Sequence, residues 1–237
     1  MTATRRRLGL IPARGGSKRF PRKNVALFDG VPLVVRAVRT AHEASLFDAV
    51  VVSTEDAEIA SLAREAGAEV HRRDARLASD DARVVDVCRA VLTERQGRGE
   101  RYHEFCVLLP TSPFRTARHV RESLALLDER RAHVVMSTAV FPHVPWWAVR
   151  EARGFLRLQF GARTLKSRRT LPVLYRHNGV VLWSRTDAFL RSGDFYGPRV
   201  ASYPMAQEES VDIDDPLDLE FATFLSGRQA RGRRHEE

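Results

Sequence analysis

The stretch GLIPARGGSKRFPRKN, residues 9–24, leads from an apolar segment into a loop with two adjacent glycines and five cations. The apolar segment ends at Ile11 and predicts a buried strand. In an α/β sheet, the loop after the first strand is where a phosphate-binding loop belongs. The cations of this loop are Arg14, Lys18, Arg19, Arg22 and Lys23. Since like charges this close repel one another, the loop is predicted to receive an anion.

The glycine pair supports the same prediction. Gly15 and Gly16 allow the backbone to approach a ligand closely and to turn with positive φ. The loop has neither the GxxxxGK[ST] pattern of a Walker A loop nor the GxGxxG pattern of dinucleotide-binding folds. Glycines beside cations also occur in ordinary exposed turns, so that alternative stays open for the loop taken alone.

Strand-like and helix-like segments alternate after this loop. Strands are predicted at 48–54, 68–71, 105–110 and 133–140, and helices at 32–45, 55–67, 80–97 and 116–131. This alternation is typical of an α/β sandwich of three layers, in which helices cover both faces of a mostly parallel sheet. Ligands of such sheets bind at the carboxyl ends of the strands.

The alternation breaks after Phe141. Prolines, two tryptophans and hairpin-like pieces predict an inserted lobe at about 142–174, followed by a return strand at 177–184. A last helix is predicted at 214–225, with Asp215 as its cap and Pro216 in its first turn. The chain is therefore expected to form a single domain over residues 1–227, with a basic, disordered tail at 228–237.

Composition limits the class of protein. The chain has 237 residues, 43% of them hydrophobic, and no apolar run of the length that a membrane helix needs. Cys88 and Cys106 have no metal or disulfide spacing, so we expect two buried thiols in a reducing cytoplasm. The net charge of +9 raises the alternative of a nucleic-acid-binding module, although much of the excess lies at the two ends of the chain.

The segment SVDIDDPLD, residues 210–218, is the second candidate for chemistry. In an extended chain Val211 and Ile213 face one side, so Asp212 and Asp214 face the other at roughly 6 to 7 Å from each other. Two carboxylates at this spacing suit Mg²⁺, which combines a few carboxylates with waters and phosphate oxygens.

Three further polar stretches follow or precede predicted strands. LLPTSPFR, residues 108–115, would present Thr111, Ser112 and Arg115 at the mouth of the sheet, although a plain turn is an alternative. RLASDDAR, residues 76–83, opens a helix whose free amides could face an anion or a base. YRHNGVVLW, residues 175–183, contains Gly179, where a backbone could approach a ligand closely.

Taken together and in this order, IPARGGSKRFPRKN, LASD, LLPTSPFRT, RHNGVVLW and SVDIDDPLDL resemble the acylneuraminate cytidylyltransferase (CMP-sialic acid synthetase) family. The resemblance extends from about Leu8 to Phe224. It implies a nucleotidyltransferase sandwich related to GT-A folds, a lobe that helps to form a homodimer, and Mg²⁺-dependent transfer of CMP from CTP to an acidic sugar with release of pyrophosphate. A Gln usually precedes PTSP in this family, whereas this chain has Leu109 on what would be the acceptor side.

The resemblance also assigns residues. Those that would bind CTP are Arg14, Gly15, Gly16, Ser17, Lys18, Lys23, Asn24, Arg73, Ser79 and Asp80. Those on the acceptor side would be Leu109, Thr111, Ser112, Arg168, Arg176 and Asn178. Asp212 and Asp214 match the metal carboxylates, and Arg14, Lys18 and Asp212 are the residues expected to carry catalysis.

Leu109 leaves the acceptor open between sialic acid and another acid, namely pseudaminate, legionaminate, a Kdo-like acid or a small phosphonate. A GT-A glycosyltransferase is a third interpretation, but its metal-binding DxD would lie earlier in the chain than DID does here. The expected partners are CTP and an acidic small molecule, and neither nucleic acid nor a membrane is expected.

Overall fold

The computed structural model describes residues 5–165 and 167–233, and the side chains of residues 168, 232 and 233 lie outside that description. The strands are β1 (Arg7–Pro12), β2 (Leu27–Phe28), β3 (Val31–Pro32), β4 (Ala49–Thr54), β5 (Glu69–Arg72), β6 (Glu104–Val107), β7 (Val134–Val140), β8 (Val149–Ala152), β9 (Phe155–Leu158), β10 (Tyr175–Arg185) and β11 (Val200–Pro204). The helices are α1 (Leu33–Ala44), α2 (Ala57–Glu65), α3 (Val84–Gly97), α4 (Ala117–Glu129), α5 (Thr186–Ser192) and α6 (Pro216–Arg233).

Seven strands form the central sheet in the order β11-β7-β10-β6-β1-β4-β5. All neighbours are parallel except β10, which runs antiparallel between β6 and β7. The predicted mostly parallel α/β sandwich is therefore confirmed. Since the chain passes from β1 to β4 on one side and later returns to β6 on the other, the strand order reverses at β1, and the loops after β1 and β6 lie beside each other.

Helices cover both faces of the sheet because its strands are apolar on both sides. Ile11 and Val52 pack with α1 and α4 in one cluster, whereas Leu10 and Val107 pack with α3 and α5 in the other. A third, smaller cluster joins Phe28, Leu33 and Ile213 to α6. This last cluster holds the SVDID segment against the rest of the domain.

The start of α6 has the predicted cap, and a side chain caps α4 as well. Thr116 caps α4 through the amide of His119, and Asp215 accepts the amide of Asp218 at 3.0 Å at the start of α6. The helix α3 begins at Val84 rather than at residue 80, because Ala75–Ala78 form a separate 3₁₀ turn. The helix α6 continues to Arg233 and so includes residues 228–233 of the tail for which the sequence predicted disorder, where Arg, Gln and Ala are good helix formers. Residues 234–237 lie outside the described part.

The chain leaves the central sheet between β7 and β10. There β8 and β9 pair only with each other, and short 3₁₀ turns at Pro145–Trp147, Ala162–Thr164 and Arg168–Thr170 flank the hairpin. This segment coincides with the lobe predicted at about 142–174, and its part in a dimer stays a prediction. Over the described ranges, no helix is long and apolar enough to cross a membrane.

Candidate active site

The opening loop leaves β1 at Pro12 and is fixed by hydrogen bonds from its own backbone. The amide of Gly15 donates to Glu55 Oε1 at 2.7 Å, and the side-chain amide of the buried Asn24 donates to the carbonyl of Arg14 at 2.8 Å. Gly15 is needed for space, because a Cβ there would lie 2.6 Å from Asp56 Oδ2. The prediction of a positive φ at this glycine pair was wrong, since neither glycine adopts one.

Each of the five loop cations forms an ion pair with a carboxylate. Asp80 binds Arg14 at 3.0 Å and Lys18 at 2.6 Å. Asp214 binds Arg19 at 2.6 Å and Lys23 at 2.8 Å. Because two of these acids each bridge two cations, the mutual repulsion expected from the sequence is relieved inside the protein even without a bound anion.

The fifth cation shows which acids the sequence analysis missed. Arg22 binds Asp56 at 2.6 Å and also contacts Glu58. Asp56 caps α2 through two amides, and its neighbour Glu55 receives the Gly15 amide. A signal for these acids is present in the sequence, since the acid pair directly follows β4, the strand next to β1.

Arg73 and the LASD stretch lie on the β4–β5 side of the loop. Arg73 is buried and donates to the carbonyl of Ser53 at 2.7 Å, and burial lowers the pKa of its guanidinium. Arg14 donates to the carbonyl of Ser79 at 2.9 Å. The structure therefore brings together the opening loop, Ser79 and Asp80 as predicted, whereas Arg73 lies beneath them and supports β4.

The SVDID segment is extended but does not join a sheet. Val211 and Ile213 are buried as the alternation predicted, and the amide of Ile213 donates to the carbonyl of Thr111 at 2.8 Å. Asp212 and Asp214 thus face the loops after β1 and β6. Burial raises the pKa of Asp212, while Lys23 and Arg19 lower the pKa of Asp214 despite its partial burial.

Of these two carboxylates, Asp212 is the one with an oxygen free to bind a divalent cation. Asp212 Oδ1 is buried and has no hydrogen-bond partner among the described residues. This oxygen is therefore available to bind a cation. Both oxygens of Asp214 are taken by cations of the opening loop. The described ranges contain no group of three or more His, Cys, Asp or Glu side chains that could hold a metal ion.

The loop after β6 is held from below. Arg115 is 5% exposed and donates to the carbonyls of Leu109 at 2.8 Å and Val180 at 3.0 Å, and burial lowers its pKa to about 10. The expectation that Arg115 faces the mouth of the sheet was therefore wrong, because its guanidinium ties this loop to β10. Ser112 is buried as well, so of the predicted polar residues only Thr111 reaches the SVDID segment.

Residues of β10 alternate between two sides of the site. Arg176 donates to the carbonyl of Ser210 at 3.1 Å, and Asn178 donates to the hydroxyl of the same residue at 2.8 Å. Both side chains thus hold Ser210, the first residue of the SVDID segment, in place. Direct contact of Arg176 and Asn178 with an acceptor stays a prediction. The side chain of Arg168, the remaining predicted acceptor residue, lies outside the described part.

The other side of β10 faces a cleft of about 410 Å³. Its apolar lining residues include Leu109, Met136, Leu182, Phe195 and Tyr196, and its polar ones are Arg83, His177 and Asp194. Gly179 has φ of 73°, and a Cβ there would meet Leu109 Cδ1 at 3.0 Å. Leu109, which belongs to the loop after β6, thus forms part of the apolar wall of this cleft.

The arrangement is that of an enzyme for phosphoryl chemistry, with a cationic glycine loop and two carboxylates meeting at the edge where the strand order reverses. Comparison with known proteins agrees. The profile of a family described as cytidylyltransferase matches residues 8–232, and the chain belongs to this family.

Individual relatives have diverged considerably. The chain is 28% identical over 225 residues to an N-acylneuraminate cytidylyltransferase of Escherichia coli, covering 94% of this chain and 53% of that protein. It is 29% identical over 220 residues to a pseudaminic acid cytidylyltransferase of Campylobacter jejuni, covering 92% and 95%. It thus spans about half the length of several curated relatives and nearly all of others.

A solved structure shows the same fold. CMP:2-keto-3-deoxy-manno-octonic acid synthetase in complex with CTP superposes with a TM-score of 0.70 at 15% identity, over 94% of this chain and 99% of that one. The nucleotidyltransferase fold predicted from the sequence is therefore confirmed. The roles of the individual site residues remain predictions.

Proposed function

We propose that this protein transfers CMP from CTP to a nonulosonic acid such as sialic acid, and releases pyrophosphate. One observation carries the proposal. The fold brings the cations of the opening loop to the SVDID acids, so that Lys23 Nζ lies 2.8 Å from Asp214 Oδ1 across 191 residues of sequence. A triphosphate and its counter-cation require this juxtaposition of cations and carboxylates.

The reaction would be a direct displacement, in which an acceptor oxygen attacks the α-phosphorus and pyrophosphate leaves in line. Most of the rate enhancement in such chemistry comes from positioning and charge neutralisation. Arg14 and Lys18 hold the triphosphate and neutralise the charge that grows on pyrophosphate. For this they exchange their ion pairs with Asp80 for phosphate oxygens.

We further propose that Asp212 and Asp214 hold Mg²⁺. The ion would neutralise phosphate charge and lower the pKa of the attacking hydroxyl. Asp212 offers its unpartnered Oδ1, and Asp214 becomes available once Lys23 and Arg19 turn to the phosphates.

Leu109 favours a second candidate, namely CMP transfer to a different acid such as pseudaminate, legionaminate, a Kdo-like acid or a small phosphonate. The apolar wall of the cleft beside Leu109 leaves fewer polar partners for acceptor hydroxyls than a glutamine there would. The relative from Campylobacter jejuni, a pseudaminic acid cytidylyltransferase, shows that this family includes enzymes named for other acids.

The test is CTP-dependent release of pyrophosphate with a panel of these acids, each with and without Mg²⁺. Turnover with N-acetylneuraminate well above the rate without acceptor supports the first candidate, and turnover with another acid alone supports the second. The variant Leu109→Gln should move the preference toward N-acetylneuraminate. Absence of CTP turnover with every acid would refute the proposed reaction.

We also propose a homodimer formed through the lobe. The β8–β9 hairpin exposes two large apolar side chains, Phe155 by 72% and Leu156 by 71%. Exposed apolar patches of this kind mark interaction surfaces. Sedimentation of the wild type as a dimer and of Phe155→Ser/Leu156→Ser as a monomer would support this assembly, and a wild-type monomer would contradict it.

A cytoplasmic location is proposed as well. Cys88 and Cys106 are free and buried, as the sequence predicted. Unpaired thiols are typical of proteins in reducing compartments.

A further inference from the structure

A second cationic hollow lies at the opposite edge of the sheet from the candidate active site. His103 directly precedes β6, His133 directly precedes β7, and Arg185 ends the antiparallel β10. These positions are the amino ends of the parallel strands, whereas the opening loop and the SVDID segment meet at the carboxyl ends. The hollow is therefore separated from the proposed CTP site by the length of the strands.

The lining of this hollow consists mainly of hydrogen-bond donors. It has a volume of about 410 Å³ and is lined by Arg5, Arg101, Tyr102, His103, His133, Arg185, Asp187, Ala188 and Arg191. We call it the arginine pocket. His103 Nδ1 accepts the amide of Arg6 at 3.1 Å, so in the neutral imidazole the proton lies on Nε2, which is then a donor. Asp187 is the only carboxylate among the described residues that line the pocket.

Two of the four arginines of the pocket, Arg5 and Arg185, form ion pairs with the same two carboxylates. Arg5 and Arg185 bind Asp128 Oδ1 at 2.8 and 2.7 Å, and both also reach Oε1 of the fully buried Glu104, at 3.4 and 3.2 Å. These pairs fix the two guanidinium groups side by side. Arg7 adds a third cation to Glu104 at 2.8 Å, so the carboxylates below the pocket are fully matched by cations.

The other two arginines have no such partner. Within the part of the chain that the structure describes, Arg101 and Arg191 form neither an ion pair nor a side-chain hydrogen bond, although both line the pocket. Donors in excess of acceptors at a concave surface are the arrangement that binds oxyanions.

We propose that the arginine pocket binds a small phosphate-class anion at a site separate from the CTP site. Guanidinium groups match the oxygens of phosphate in paired hydrogen bonds, and Arg101 and Arg191 have no carboxylate partner among the described residues that a phosphate would have to displace. The volume is large enough for a diphosphate or a phosphorylated metabolite. The pocket is too small for a membrane or a duplex to be the ligand that fills it.

The experiment is titration calorimetry with inorganic pyrophosphate as the probe, in the absence of divalent metal. Because pyrophosphate also fits the proposed CTP site, the titration is made in the Lys18→Ala background, which weakens that other site. Adding Arg101→Ala/Arg191→Ala should reduce pyrophosphate affinity at least tenfold, since each lost arginine removes charge-assisted hydrogen bonds. The matched control is Arg39→Ala/Arg64→Ala, which removes two exposed arginines elsewhere on the surface and should leave the isotherm unchanged.

Three further measurements make the outcome decisive. Arg101→Ala/Arg191→Ala in an otherwise wild-type chain should retain the wild-type melting temperature, because both side chains are exposed and unpaired in the described structure. Its CTP turnover should stay within about twofold of the wild type, which separates this site from the proposed reaction. An isotherm equal to that of the Lys18→Ala protein alone would overturn the proposal. Binding of an oligonucleotide through these arginines with no binding of pyrophosphate would overturn it as well.

Discussion

Replacement of Gly15 by alanine tests how the opening loop is built. The new Cβ would lie 2.6 Å from Asp56 Oδ2, 2.9 Å from its Cβ and 3.1 Å from its Cγ. Asp56 cannot withdraw freely, because it accepts the amides of Glu58 and Ile59 at 2.9 Å each and binds Arg22 at 2.6 Å. We therefore expect Gly15→Ala to displace Asp56 from its place at the start of α2.

The size of the effect follows from the lost cap. Loss of an N-cap side chain costs about 0.5–2 kcal/mol. For a chain of this length each kcal/mol lowers the melting temperature by roughly 2–4 °C. Gly15→Ala should therefore melt roughly 1–8 °C below the wild type in calorimetry or circular dichroism. The matched control is Gly16→Ala, where no atom lies within 4 Å of the new Cβ and φ is not positive, so its melting temperature should be near that of the wild type.

A double-mutant cycle identifies the cause. The three atoms nearest to the new Cβ all belong to Asp56, so Gly15→Ala should cost little in an Asp56→Gly background. Glycine is chosen there because it removes the Asp56 Cβ and is itself an acceptable N-cap residue. Equal melting temperatures for Gly15→Ala and Gly16→Ala, or an undiminished cost in the Asp56→Gly background, would refute the steric account.

Three other predictions concern charge and reactivity. Lys18→Ala should lower CTP turnover by roughly 10²-fold or more while the melting temperature stays unchanged, because its side chain is 86% exposed, and near-normal turnover would remove Lys18 from the catalytic set. Asp212→Asn should abolish activity yet raise the melting temperature at pH 7.5. Burial raises the pKa of Asp212 in the fold, so ionisation costs stability as pH rises from the ordinary Asp pKa near 3.9 through the raised value, and the gain should vanish near pH 3. An Asp212→Asn protein less stable at pH 7.5 would contradict that sign. Cys88 and Cys106 should not react with Ellman's reagent until the chain unfolds, because burial raises the pKa of both thiols, and rapid labelling of the native protein would argue against this.

The sequence predicted the sheet well because its strands are short apolar runs separated by amphipathic helices. The caps at Thr116 and Asp215 were also predictable, since capping depends on a few adjacent residues. The end of α6 was not, because the basic composition of residues 228–233 resembles that of a disordered tail although most of these residues favour a helix.

The site could be predicted where a local sequence pattern determines which side chains face it. It could not be predicted where the contact joins residues that are far apart in the sequence. The alternation in SVDID indicated which side chains face the site, and the structure shows that alternation of burial. The sequence could not show that Asp80 and Asp214 neutralise the opening loop, because these partners lie 62 and more residues away from the cations. It could not show that Arg115 is buried either, since only the packing of β10 over the loop after β6 determines this.

The shared ion pairs of Asp80 and Asp214 have a consequence for how the protein responds to salt. A loop of five free cations would attract a cloud of mobile counterions, and a bound triphosphate would release them, which makes affinity fall steeply as salt is added. Here carboxylates of the protein itself take the place of those counterions. Triphosphate affinity should therefore decline only gently between low and physiological ionic strength, and removal of the Asp80 carboxylate should steepen that decline.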